Sequence, residues 1–71
     1  MRNNLEYYLE LPYSIEMLPE PNGGWCVRVI ELSGCFSEGD TPEEAFHNID
    51  EAKRLWQEVA IEEKFPIPVP S

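Results

Sequence analysis

The chain has 71 residues, 42% of them hydrophobic, with 14 acidic against 5 basic side chains and a formal net charge of −9. That length holds one domain, residues 1–71, and so short a domain buries only about 60% of what its unfolded chain exposes, a shortage that pairing with a second copy or a partner relieves. The apolar share argues against wholesale disorder, and the negative field argues against unaided binding to nucleic acid or anionic membrane, favouring a basic protein partner.

Met1 to Glu6 lacks the apolar stretch of a secretory signal, and no run reaches the roughly 20 apolar residues of a membrane span. The chain is therefore expected in the cytoplasm, with Cys26 and Cys35 as free thiols. Residues 5–11 fit a short helical turn or an extended lead-in, and Pro12 ends any helix there. Tyr13 to Leu18 alternates, with Tyr13, Ile15 and Met17 on one face and Ser14 and Glu16 on the other, which predicts a half-buried strand. Pro19 to Gly24, with two prolines, Asn22 and two glycines, predicts a hairpin connection.

Trp25 to Leu32 is the strongest strand signal, with Trp25, Val27 and Val29 on one face and Arg28 on the other. Ser33-Gly34 breaks it, and Cys35-Phe36-Ser37 predicts a short third strand ending at Glu38-Gly39-Asp40. Short connections make these strands an antiparallel meander. Gly34 is expected to turn the backbone between strands, and Gly39 to take a positive φ at the exit of the third.

Thr41-Pro42-Glu43-Glu44 has the pattern of a helix start, with Thr41 as N-cap, Pro42 at the first helical position and Glu44 completing a capping box back to the Thr41 N–H. Asp40, Glu43 and Glu44 complement the positive end of the helix dipole. The helix is expected to run to about Glu63, which would return to the centre of the apolar face and so fray. Leu55, Val59, Ala52, Ala45, Trp56, Ile49, Ala60 and Phe46 share about half of the helical wheel. Asp50 and Arg54 are spaced for an i,i+4 ion pair. After Phe65 the alternating prolines of Pro66-Ile67-Pro68-Val69-Pro70 allow only an extended segment or a short edge strand. The fold class is α+β: a small antiparallel sheet of three strands, to which the tail can add an edge strand, packed by one long helix.

The segment Gly34 to Ala45, GCFSEGDTPEEA, resembles the GC-x-x-x-GDT-x-EEA signature of the HicB antitoxin family. The Tyr-containing strand, the Gly-Gly-Trp entry to the next strand, Asn48 to Ala52, Leu55-Trp56 and Ile67 to Pro70 extend the likeness over residues 13–70. The resemblance implies a partial RNase H-like β-β-β-α-β fold. It also implies an antitoxin that occludes a HicA-like, histidine-dependent, mRNA-cleaving toxin, a small basic protein. Two departures matter. Many members carry a carboxy-terminal DNA-binding domain, of which residues 1–71 hold no counterpart, so DNA binding by the chain alone is not expected. The usual Pro-x-Leu-x-Gly-Cys approach reads Ile30-Glu31-Leu32-Ser33-Gly34-Cys35 here. Solitary family members also exist, so the alternative is a regulatory or structural module with a different basic partner.

Glu31, Glu38, Asp40, Glu43 and Glu44 are expected at one end of the sheet beside the helix start, as an acidic patch for a basic ribonuclease. Trp25 is either a core anchor or an aromatic contact for that partner. A two-metal nuclease built from Glu16, Glu31, Glu38 and Asp40 is disfavoured, because nothing requires those carboxylates to converge and Arg28 is the one basic residue between Arg2 and Lys53. His47 belongs to the solvated face of the helix, and Cys26, Cys35 and His47 lack zinc-site spacing. No catalytic residue, metal or cofactor is expected. On size grounds the chain is expected to form a homo-oligomer, a dimer first of all.

Overall fold

The computed structural model describes residues 5–70. In chain order these form α1 (Leu5–Leu9), β1 (Ile15–Pro19), β2 (Trp25–Val29), β3 (Phe36–Gly39) and α2 (Pro42–Glu63). The three strands make one antiparallel sheet in the order β1-β2-β3. The α+β meander under one long helix is as the alternation and the capping pattern predict. Met1 to Asn4 lie outside the described residues.

Register decides which face is buried. Ile15 pairs with Val29 and Met17 with Val27, while Trp25 lies opposite Gly39 and Val27 opposite Ser37. The face carrying Ile15, Met17, Val27 and Val29 turns to α2; Val27 and Val29 are buried, and with Tyr13, Leu32, Cys35, Ala45 and Ile49 they form the core. Fully burying a side chain such as Val27, Val29, Leu32 or Ile49 is worth about 1.5–3 kcal/mol, the main favourable contribution in so small a domain. The other face carries Glu16, Leu18, Cys26, Arg28, Phe36 and Glu38, with Arg28 bonded to Glu16 across the β1–β2 pair.

The strand bounds shift from the expected ones for identifiable reasons. β2 stops at Val29 rather than Leu32, because Leu32 N–H turns back to Val29 C=O and Cys35 N–H to Leu32 C=O. This double turn drives Leu32 into the core, 1% exposed, and Gly34 supplies its positive φ of 81°. β1 begins at Ile15 and keeps Pro19 as its last residue, which is tolerated because β1 is an edge strand. β3 runs on to Gly39, where the expected positive φ is not found; the positive-φ glycines are Gly23 and Gly34. Gly39 is needed for proximity instead. A Cβ there would lie 2.5 Å from Ala45 N, 2.8 Å from Ala45 Cα and 2.9 Å from Glu44 C, inside the first turn of α2.

The helix start closes much as its residues suggest. Glu44 N–H donates to Thr41 Oγ1 at 3.1 Å, but the Glu44 carboxylate accepts from Asp40 N–H at 2.7 Å rather than from Thr41, one residue further back. Asn48 Nδ2 donates to Glu38 C=O at 2.7 Å and ties α2 to β3. At the far end α2 ends at Glu63, the expected limit, with its last turn intact rather than frayed. Its 22 residues span about 33 Å against about 17 Å for a five-residue strand, so Glu63 has passed the sheet and points to solvent. Lys64 then adopts a left-handed conformation (φ 61°), and Phe65 N–H donates to Ala60 C=O, closing the helix before Pro66.

Two further differences lie along α2. Arg54 pairs with Glu58 and Asp50 with Lys53, in place of the expected Asp50–Arg54 pair. Gln57 is fully buried, because α1 covers that side of the helix and Tyr8 C=O accepts from Gln57 Nε2 at 3.4 Å. The proline tail forms no strand among the described residues; Tyr13 OH donates to Pro68 C=O at 2.6 Å and straps it down.

Candidate functional site

The hairpin and the helix start bring carboxylates together. β1 and β2 are joined through Glu20, whose N–H donates to Gly24 C=O at 2.7 Å, and Gly39 lies opposite Trp25 beside that turn. Glu20, Glu38 and Asp40 therefore border one polar hollow with Asn22, and Glu43 and Glu44 follow in the first turn of α2. Among the described residues, none of these five carboxylates has an ion-pair partner; Glu44 accepts hydrogen bonds only from backbone. Of the acids expected here, Glu38, Asp40, Glu43 and Glu44 share this end. Glu20 joins them through the hairpin, a pairing that sequence spacing alone hides.

Glu31 lies elsewhere. It follows β2 at the opposite end of the sheet, since β3 runs back antiparallel from there to Asp40. Its carboxylate accepts from Ser14 N–H at 2.9 Å, and that bond holds its pKa below the ordinary carboxylate value. Glu31 thus anchors the start of β1 and does not extend the acidic end. Trp25 is half-buried and packs against the core between Pro19 and Gly39, at the margin of the acidic end. His47 is exposed beside Glu51. Among the described residues, no three His, Cys, Asp or Glu side chains gather closely enough to hold a metal ion, and no helix is long and apolar enough to cross a membrane.

A second surface was not singled out by sequence reasoning. A cavity of about 390 Å³ lies between the β3 edge and α2, lined by Cys35, Leu55, Trp56, Val59 and Phe65, with Phe36 beside them. Phe36 is 71% exposed, Leu55 62% and Phe65 58%. Trp56 is fixed there by its Nε1 donating to Ser33 C=O at 2.9 Å. Cys35 is buried beneath, and burial pushes its thiol pKa up, so it serves as apolar lining. The signal was present in the helical wheel: an apolar arc half a turn wide exceeds what a three-stranded sheet covers. The sheet takes Ala45, Ile49 and Trp56, while Leu55 and Val59 overhang on the β3 side and Phe46 on the β1 side.

Residues 12–71 match the family described as HicB_like antitoxin of bacterial toxin-antitoxin system. The chain is also 43% identical over 56 residues to the UPF0150 protein ssr1765 of Synechocystis sp., an alignment covering 79% of this chain and 71% of that one.

Proposed function

The chain belongs to the HicB-like antitoxins of bacterial toxin–antitoxin systems, and from that premise we propose that it neutralises a small basic HicA-like mRNA-cleaving toxin by covering its RNA-binding and catalytic surface. The observation that carries this reading is the family match over residues 12–71. The charge supports it. A toxin that grips RNA presents cations shaped for phosphate, and the unpaired carboxylates of Glu20, Glu38, Asp40, Glu43 and Glu44 offer those cations a substitute. Half-buried Trp25 at the margin of that end supplies an aromatic contact. In this reading the chain does no chemistry and binds no DNA by itself. It acts in the cytoplasm as a homo-oligomer, a dimer at least.

The test uses the tagged full chain as bait in lysate from its own source, with washes of rising salt. The expected result is capture of a small basic protein that cleaves RNA after release and stops when the chain is added back in equal amount. A captured partner without RNA-cleaving activity would favour a solitary regulatory module and refute the antitoxin mechanism.

A further inference from the structure

β3 is an edge strand, and its hydrogen-bonding alternation is fixed on the β2 side. Val29 N–H donates to Cys35 C=O at 3.0 Å, and Ser37 lies opposite Val27, so Cys35 C=O and the backbone groups of Ser37 and Gly39 face β2. Phe36 N–H and C=O and Glu38 N–H then point away from the sheet; Glu38 C=O is taken by Asn48. Beneath this edge lies the apolar groove of Leu55, Val59 and Phe65. Its flank is acidic: Glu51, Glu58 and Glu62 stand three or four residues from Leu55 and Val59 on α2, hence beside them, and Glu38 borders the strand. Free edge groups, an apolar floor and an acidic flank together define what fits.

We propose that the outer edge of β3 takes an extended segment of a basic partner as a fourth strand, whose apolar side chains fill the Leu55–Val59–Phe65 groove while its alternate cations meet Glu38 on the opposite face and are drawn in by the field of Glu51, Glu58 and Glu62. The mode is strand addition, in which main-chain bonds give affinity and alternate side chains give specificity. The partner's basic character rests on the antitoxin reading; the edge geometry stands without it. A second copy of this chain fits poorly. Each copy carries −9, and of the cations described, Arg54 is already paired with Glu58, Lys53 with Asp50 and Arg28 with Glu16, which leaves Lys64, just past α2, without an ion pair among the described residues. A second copy therefore brings no free guanidinium or ammonium from α2 to that acidic flank.

The experiment titrates the ¹⁵N- and methyl-labelled full chain with a synthetic peptide of alternating lysine and valine, in two forms carrying N-methyl groups on one or the other set of alternate amides. Charge and apolarity are the same in both, but with the valines on the groove an antiparallel strand keeps the N–H groups that face β3 in only one of them. The expected result is perturbation of the Phe36 and Glu38 amides and the Leu55 and Val59 methyls, with one form binding about tenfold or more weaker than the other. Leu55→Asp, an exposed position, should weaken the better form comparably with the chain still folded. Equal binding of the two forms, or shifts confined to Glu20 and Glu43, would overturn the proposal. So would self-association, without peptide, that Leu55→Asp abolishes. If a captured toxin is neutralised as well by Leu55→Asp as by the parent, strand addition fails and the antitoxin reading survives. If the peptides behave as expected and no toxin is captured, the antitoxin reading fails and the edge site stands.

Discussion

Replacing Gly39 with alanine tests how the signature segment is built. Gly39 does not have a positive φ, so alanine meets no backbone penalty there. The cost is contact: the new Cβ would sit 2.5 Å from Ala45 N, 2.8 Å from Ala45 Cα and 2.9 Å from Glu44 C. Ordinary carbon contacts lie near 3.5–4.0 Å, so the first turn of α2 must retreat by about 1 Å. All three atoms are backbone, held by the Thr41 cap, the Asp40–Glu44 bond and the Asn48–Glu38 bond, and none can rotate aside. Overpacking of this kind costs about 1–3 kcal/mol, and a disturbed cap adds about 1. A core of this size rarely supplies more than about 3–5 kcal/mol, so Gly39→Ala should leave much of the chain unfolded at 37 °C. Urea denaturation followed by circular dichroism measures it. Gly34→Ala is the control. That position has φ 81°, and a Cβ added there would meet no atom within 4 Å, so only the backbone cost of about 1–2 kcal/mol applies. The reasoning is refuted if Gly39→Ala lies within about 0.5 kcal/mol of the parent, the range of an ordinary surface change.

Three further outcomes are expected from the same denaturation assay. Thr41→Ala removes the acceptor of Glu44 N–H and should cost about 1 kcal/mol. Tyr13→Phe releases Pro68 C=O and should also cost about 1 kcal/mol. Burial raises the Tyr13 pKa above its ordinary value near 10, so this group's stabilisation is complete below that value and is lost as pH rises through the higher folded one; the phenylalanine variant should lack that alkaline loss. Gln57→Met removes Oε1, a buried acceptor with no partner, while Tyr8 C=O keeps the Leu11 N–H; stability should stay level or rise by up to about 1 kcal/mol, and a clear loss would show that the amide's contact with Tyr13 and its long bond to Tyr8 outweigh the unpaired oxygen.

Local rules make the helix start legible, because Thr41, Pro42 and Glu44 act on neighbours within one turn. The strand faces are legible for a related reason: period two fixes Ile15, Met17, Val27 and Val29 to one side whatever the ends do. The ends are less so. Leu32 and Cys35 are buried in a turn, which looks in sequence like two more strand residues. Gly39 suggests backbone freedom in sequence, whereas its constraint is a helix packed against it, a contact that exists only after folding. The acidic end is legible as far as residues adjacent in sequence, Glu38 to Glu44. Glu20 enters it, and Glu31 leaves it, through the antiparallel register, which no local pattern contains.

The last turn of α2 carries Glu62 and Glu63 and no basic residue. Acids there face the negative end of the helix dipole, an arrangement that costs the helix a few tenths to about 1 kcal/mol each. Asp40, Glu43 and Glu44 differ, because the positive end offsets their charge. The two groups of carboxylates therefore stand in unlike fields: the dipole moderates the acidic end near Thr41 and reinforces the acidic flank of the β3 groove. A cationic strand should feel the second more than its share of charges suggests. Glu62→Lys separates the two consequences. It should raise stability by about 0.3–1 kcal/mol in urea, because a cation suits that end of the helix. It should also slow association of the lysine–valine peptide at low salt, with the difference shrinking as salt rises. A variant both more stable and unchanged in peptide association would show that Glu62 lies outside the docking surface, and would restrict the partner's cations to Glu38, Glu51 and Glu58.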